Sequence, residues 1–211
     1  HSLNLVGRSA VDCCQTAVDF FYLIQLLYAF YSASTSRWKV MKECVGSEKV
    51  LKSLSCTRWE AHAEATGAVL GSYLSILDAL EKVSSDVNQK GAVRLEANII
   101  AAKMQELEFV FMLHMWNAIL SKFHATSIAL QNEKLDLKTC ASLYLSLAEL
   151  LENMRGDFEN LETVSKDLLP DIGYKAETKR KVTRKRQMDE GSAPETNFSA
   201  RDNFRVNTFL V

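Results

Sequence analysis

Apolar side chains recur at intervals of three and four residues over most of the first 170 positions of this chain. That spacing gathers apolar groups on one face of an α-helix, whereas a half-buried strand would alternate apolar and polar residues strictly. Only 8 glycines and 2 prolines occur among 211 residues, so few residues interrupt the helical patterns. We therefore predict an all-α fold, a helical bundle.

The first helix is expected from Ser2 to about Ser32. Its second half is apolar on every side, which is typical of a helix at the centre of a bundle. Residues 17–31 are almost wholly apolar, but Asp19 and Gln25 interrupt them. A membrane span needs about twenty apolar residues. This stretch is therefore predicted to be a buried helix.

Capping residues mark two later helices. Thr57 can cap one, because its hydroxyl can accept a hydrogen bond from first-turn amides and Glu60 completes a capping box. Asp136 can cap another, which Gly156 closes. After the first helix we predict a short helix over 37–44, a short piece running to Leu54, and helices over 57–85, 93–123 and 137–156, followed by an amphipathic helix that stops at Pro170. The helix over 57–85 carries one apolar stripe, formed by Leu70, Tyr73, Leu74, Leu77 and Leu80. The apolar positions of the helix over 93–123 include Leu95, Ile99, Phe109, Leu113, Trp116 and Leu120.

Charge is distributed unevenly, although the net charge is only −1. Residues 36–59 carry a local charge of +4 and residues 175–186 a local charge of +6, so the remainder is acidic. Any contact with nucleic acid should therefore be confined to these two basic zones.

Composition divides the chain into three parts. Lys, Arg, Glu, Gly, Ser and Pro dominate the stretch after the last amphipathic helix, which predicts a solvated linker. We predict a helical domain over residues 1–172, a basic, disordered linker over 173–198, and the start of a C-terminal element over 199–211. The start at His1 and the apolar run that reaches Val211 lead us to expect a fragment of a longer protein.

Cysteines and acids give no sign of a metal centre or of catalysis. The five cysteines are scattered and contain no Cys-x-x-Cys pair, so neither a disulfide framework nor a zinc site is predicted. The many helical glutamates are expected on solvated faces. We expect no catalytic residue, no metal and no cofactor in this chain, and neither a membrane nor a small-molecule substrate as a partner.

The dipeptide Arg-Trp occurs twice, at Arg37-Trp38 and at Arg58-Trp59. Only the second follows a threonine, Thr57, and opens a predicted helix. A helix start offers free amides and the positive end of a dipole to phosphate, and an indole can stack on an unpaired base. The alternative is a tryptophan packed in a helical core beside a surface arginine. The sequence leaves both interpretations open.

The second basic zone has three possible roles. It can be a nuclear import signal, a phosphate-binding run or a solvated linker. Without aromatic residues between the bases, any DNA binding there would be non-specific. The residues concerned are Lys179, Arg180, Lys181, Arg184, Lys185 and Arg186.

Several segments, in this order and spacing, resemble the hAT superfamily of DNA transposases and the cellular proteins derived from it, including the zinc finger MYM-type protein 1-like group. The resemblance extends from His1 to about Arg155. It is carried by His1-Ser2-Leu3-Asn4-Leu5-Val6, by Cys56-Thr57-Arg58-Trp59-Glu60, and by shorter segments at 109–111, 127–131 and 135–137.

The resemblance implies a helical insertion that interrupts a ribonuclease-H-like core, with most of the core missing here. It implies that Thr57, Arg58 and Trp59 contact DNA, with Trp59 stacking on an exposed or flipped base and Arg58 on the backbone. It also implies a nuclear protein that forms homo-oligomers at full length.

In that family three core carboxylates hold divalent metal ions for phosphodiester transfer. The first two would precede His1, and no acid here matches the third. We therefore expect a divalent metal only in an intact core and no catalysis by this chain. The alternative function is a helical protein–protein interaction scaffold in the nucleus without DNA contact.

Overall fold

A computed structural model describes residues 2–12, 14–46, 50–54, 59–170, 172–175 and 198–210. Every regular element in these ranges is a helix, and none of the described residues lies in a strand. The all-α prediction is confirmed. The helices, in chain order, are α1 (Ser2–Asp12), α2 (Gln15–Ser32), α3 (Thr35–Val45), α4 (Trp59–Gly71), α5 (Tyr73–Ser85), α6 (Gly91–Met104), α7 (Leu107–Leu130), α8 (Leu137–Arg155), α9 (Phe158–Leu168) and α10 (Ala200–Phe204), which a π-helical turn continues (Arg205–Phe209).

The predicted helix from Ser2 to Ser32 is wrong, because it is two helices. α1 and α2 meet at 110°, and Cys14 between them has extended backbone angles. The bend brings the buried Val11 of α1 into the same core as α2. No glycine or proline marks this turn in the sequence.

The predicted helix over 57–85 is also broken, at Ser72. Its backbone leaves the helical region there, and α4 and α5 run separately on its two sides. The break lets α4 pack on α7 while α5 packs on α3 and α6. The expected stripe therefore does not form one face: Tyr73 and Leu80 are buried, but Leu74 is 59% exposed.

The predicted helix over 93–123 divides in the same way, at Gln105 and Glu106. Glu106 is extended, so α6 folds back along α5 while α7 takes a separate path. The α7 part of the predicted stripe is buried, as expected. In α6, however, Leu95 is 60% exposed and Ile99 is 48% exposed, which corrects their assignment to the core.

The predicted ends of α8 and the predicted end of α9 are confirmed. Asp136 accepts a hydrogen bond from the Thr139 amide over 2.7 Å and caps α8. α8 ends at Gly156 and α9 ends before Pro170, both as predicted. The predicted short piece ending at Leu54 is wrong over residues 50–54, which are not helical.

α7 lies at the centre of the bundle, in contact with α2, α4, α6, α8 and α9. Its first half is buried on every side, including the consecutive residues 109–113. α2 contacts five other helices and buries most of its apolar side chains, which confirms the buried-helix prediction. Within the described ranges no single helix has both the length and the apolar content to cross a membrane; the bent pair of Leu5–Asp12 and α2 meets these criteria by length and composition alone.

Residues 198–210, here called the C-terminal segment, pack on the same core as the helical body. Phe204 and Phe209 place their ring centroids 5.1 and 5.6 Å from that of Phe111 in α7. The first residues of the predicted linker are packed as well. Tyr174 contacts Phe204, and the Lys175 amide donates a hydrogen bond to Glu108 in α7. The predicted linker residues 176–197 lie outside the described ranges.

Candidate nucleic-acid interface

Trp59 lies in the first described turn of α4; residues 55–58 lie outside the described ranges, so the predicted helix start at Thr57 stays a prediction. Its indole stacks on the imidazole of His62, one turn later, with centroids 4.3 Å apart. Phe21 of α2 approaches edge-on at 5.8 Å, and Trp116 of α7 lies at 6.5 Å. These rings and Gly7 of α1 form what we call the Trp59 cluster.

Gly7 brings the backbone of α1 against the indole. A Cβ atom at this position would lie 2.8 Å from Cε2 of Trp59, closer than carbon atoms pack. The absence of a side chain therefore permits the contact. Because α1 bends away from α2, this backbone can reach a tryptophan far along the chain.

The contacts of Trp59 bear on the two interpretations of the Arg-Trp motif. The side chain is half-buried, so part of it remains accessible. His62 occupies one face of the indole, and the backbone at Gly7 lies close to its five-membered ring, at Cε2, Cδ2 and Nε1. A nucleic-acid base could stack on the face that His62 occupies only after His62 moved. These contacts fit a tryptophan packed in a helical core better than a tryptophan that offers a free face to a base.

The first Arg-Trp dipeptide lies on α3 and is also packed. Trp38 is half-buried, with its ring 6.0 Å from that of Tyr28. The guanidinium of Arg37 lies 4.5 Å from the centroid of Phe30, within the range of a cation–π contact. Thr57 and Arg58, the other two predicted DNA contacts, lie outside the described residues.

The first basic zone is partly neutralised by nearby acids. Lys39 pairs with Glu43 at 3.8 Å, and Lys52 of the loop before α4 pairs with Glu64 at 2.8 Å. Both pairs are exposed, so each contributes little to stability, about 0–1 kcal/mol. A phosphate group could therefore compete for these lysines. Glu43 is already included in the local charge of +4, so only the pairing of Lys52 with Glu64 lowers the charge available to DNA further.

The second basic zone lies outside the described residues. This applies to all six of its predicted import or phosphate-contact residues, Lys179, Arg180, Lys181, Arg184, Lys185 and Arg186. Their predicted roles stay predictions.

A buried charged contact that the sequence did not predict joins α9 to the C-terminal segment. Glu162 accepts hydrogen bonds from Arg201 over 2.7 and 2.9 Å and from Lys166 over 2.8 Å. The guanidinium of Arg201 also lies 5.0 Å from the centroid of Phe158. We call the pair Glu162–Arg201 the α9 clasp.

The hydrogen bonds from Arg201 lower the pKa of Glu162 from its ordinary 4.5 to about 2, and those from Lys166 act in the same direction. The pKa of Arg201 is raised in turn. Both groups are thus charged at neutral pH, and Glu162 is almost fully buried. The partners lie far apart in sequence, and neither sits in a recognisable motif. The sequence signal for an ordered element here was the apolar run that reaches Val211, and Ser199 caps α10 at its start.

The described residues offer no assembled metal centre: they contain no group of three or more His, Cys, Asp or Glu side chains able to hold an ion. An open groove of about 440 Å³ runs between α7 and α8, lined by Lys122, Glu149, Asn153 and Asp157 among others. Its lining carries both positive and negative side chains, so it does not select one class of ligand. It carries no evident chemistry.

No family model, curated protein or solved structure matches this chain. The likeness to hAT transposases therefore rests on the quoted sequence segments alone.

Proposed function

We propose that this chain is a non-catalytic helical module of a hAT transposase-like protein, or of a host protein derived from one, and contributes to DNA binding and oligomer assembly in the nucleus. The observation that carries the proposal is the half-buried Trp59 in the first described turn of α4, on the same helix as Glu64, which pairs with Lys52 of the preceding loop at 2.8 Å. Lys52, held against the same helix, can contact phosphate through its charge. Catalysis and its divalent metal would belong to the core of the longer protein.

A second candidate is a helical scaffold for nuclear proteins that makes no DNA contact. Two observations favour it. The indole of Trp59 is engaged by His62 and by the backbone at Gly7. The exposed lysines Lys39 and Lys52 are already paired with acids. In both candidates the basic residues 179–186 would serve for nuclear import.

Trp59→Ala distinguishes the two candidates when Trp38→Ala serves as the control. Both tryptophans are half-buried in aromatic contacts, so both changes should lower stability, and stability alone decides nothing. Affinity for DNA is the informative quantity. It should be measured at low salt with hairpin-ended DNA, at a temperature where circular dichroism shows both variants folded.

If Trp59 stacks on a base, Trp59→Ala weakens binding by about 5- to 150-fold, which corresponds to about 1–3 kcal/mol. Trp38→Ala should then change the dissociation constant less than about twofold. Equal losses in the two variants, or no binding by the unaltered chain, would leave the scaffold as the function.

A further inference from the structure

α6 carries two apolar faces, and only one of them is covered. Ala97, Ile100 and Met104 point into the core and are fully buried. On the other side Ala92, Leu95, Ile99 and Ala102 are all exposed. At 3.6 residues per turn these four fall within an arc of about 80°. We call them the outer stripe of α6.

The outer stripe is not a scattering of single apolar residues. Leu95 and Ile99 stand one turn apart, and each exposes about half of its side chain or more. The two alanines flank them and leave room for the close approach of another helix. No described residue of the chain packs over this face, and a continuous apolar stripe left open marks an interaction surface.

Charges along one edge of the stripe indicate what covers it. Glu96 and Lys103 both lie on this edge, seven residues and therefore two turns apart. Both are exposed, and neither belongs to a salt bridge among the described residues. The acid is nearer the start of the helix and the base is nearer its end.

That order is self-complementary for two antiparallel copies of α6. A two-fold axis next to Ile99 would bring the same edge of both helices together, with Glu96 of each copy at the level of Lys103 of the other. It would also set Ala102 between the levels of Leu95 and Ile99 in the opposite helix. Isologous contacts of this kind are the commonest way in which identical chains pair.

We propose that the outer stripe of α6 binds the outer stripe of a second copy of this chain, antiparallel, with paired Glu96–Lys103 contacts. This specifies a surface for the assembly part of the proposed function, and it rests on that part. A single helix face buries a small area, so the dimer should be weak, with a dissociation constant on the order of 10–500 µM.

Sedimentation equilibrium of the full 211-residue chain, over about 10–500 µM, tests the surface. The unaltered chain should show a monomer–dimer equilibrium. Ile99→Lys should weaken it at least about tenfold, because a charge replaces an apolar contact at the two-fold axis. Leu74→Lys is the matched control, since Leu74 is also exposed, at 59% against 48% for Ile99, but lies on α5 outside the stripe. It should leave the equilibrium unchanged.

Charge reversal tests the identity of the partner and its direction. Glu96→Lys alone places like charges opposite each other in the homodimer, and so does Lys103→Glu alone. Each variant should therefore associate several-fold more weakly than the unaltered chain. When the two variants are mixed, every contact pairs opposite charges again, and the mixture should regain the original association.

A chain that stays monomeric at 500 µM would overturn the proposal, as would equal effects of Ile99→Lys and Leu74→Lys. A mixture that fails to regain association would overturn the antiparallel pairing and point to another surface of the second copy. The DNA affinity of Ile99→Lys separates this proposal from the DNA-binding one. If the dimer is absent but DNA binding still depends on Trp59, only the assembly surface has failed.

Discussion

Two apolar helix faces, one on α7 and one on α6, have opposite fates in this molecule. The first half of α7 is enclosed, and its Phe111 is covered by Phe158 of α9 and by Phe204 and Phe209 of the C-terminal segment. The outer stripe of α6 has no cover among the described residues. In α7 the consecutive residues 109–113 are apolar, whereas α6 has charged residues between its two apolar faces. The cover over Phe111 comes from segments far along the chain.

The contrast shows what a helical stripe means. Apolar spacing of three and four predicts that a helix has an apolar face, but it does not say which part of the protein covers that face. α6 has two such faces on nearly opposite sides. The sequence pattern identified Leu95 and Ile99, whereas the core takes Ala97 and Ile100 instead.

The largest effect is expected at the enclosed face. Phe111→Ala removes a fully buried ring that contacts three other aromatic rings. Such changes cost about 3–5 kcal/mol of unfolding free energy, because the cavity does not fully collapse. Urea unfolding followed by circular dichroism measures this. Leu95→Ala on the outer stripe is the control, with a change within about 0.5 kcal/mol. A loss below 1 kcal/mol for Phe111→Ala would break the comparison.

The second-largest effect is expected at the α9 clasp, which holds the C-terminal segment against the helical body. The pKa of Glu162 is about 2 in the folded chain and 4.5 ordinarily. Because the folded pKa is the lower one, the clasp stabilises the fold fully above pH 4.5, and this contribution is lost as the pH falls from about 4.5 to about 2. The shift corresponds to about 3 kcal/mol.

Glu162→Gln should remove that part of the acid sensitivity and lower stability at pH 7 by a similar amount, since Arg201 loses its buried partner. Urea unfolding at several pH values from 7 to 2 provides the measurement. Glu159→Gln is the matched control, because Glu159 also contacts Arg201 but its side chain is 67% exposed. If the two variants showed the same pH dependence, the buried clasp would not be what holds the C-terminal segment.

The parts of the fold that depend on near neighbours in sequence could be predicted. Asp136 caps α8 through an amide three residues away, and α8 ends at Gly156 as expected. The helix breaks at Cys14, Ser72 and Gln105 could not be predicted, because these residues do not break helices by themselves. Tertiary packing decides these turns, as α4 and α5 must reach different partners.

The same limit applies to the candidate site. The sequence identified Trp59, but its cover comes from Gly7, more than fifty residues earlier in the chain. The clasp likewise joins Glu162 to Arg201 across the predicted linker. Neither contact can be recognised from the sequence around either partner, because only the folded bundle brings the partners together.

The most direct test of the two-faced α6 uses adjacent isoleucines. Ile100 is fully buried and Ile99 is 48% exposed, so the same substitution probes both apolar faces within one helix turn. Urea unfolding of Ile100→Ala and Ile99→Ala should be compared at a protein concentration of a few micromolar, on the order where the weak dimer is absent. We expect a loss of about 2–4 kcal/mol for Ile100→Ala and less than about 0.5 kcal/mol for Ile99→Ala. Equal losses would contradict an α6 that turns one apolar face to the core and the other to a partner.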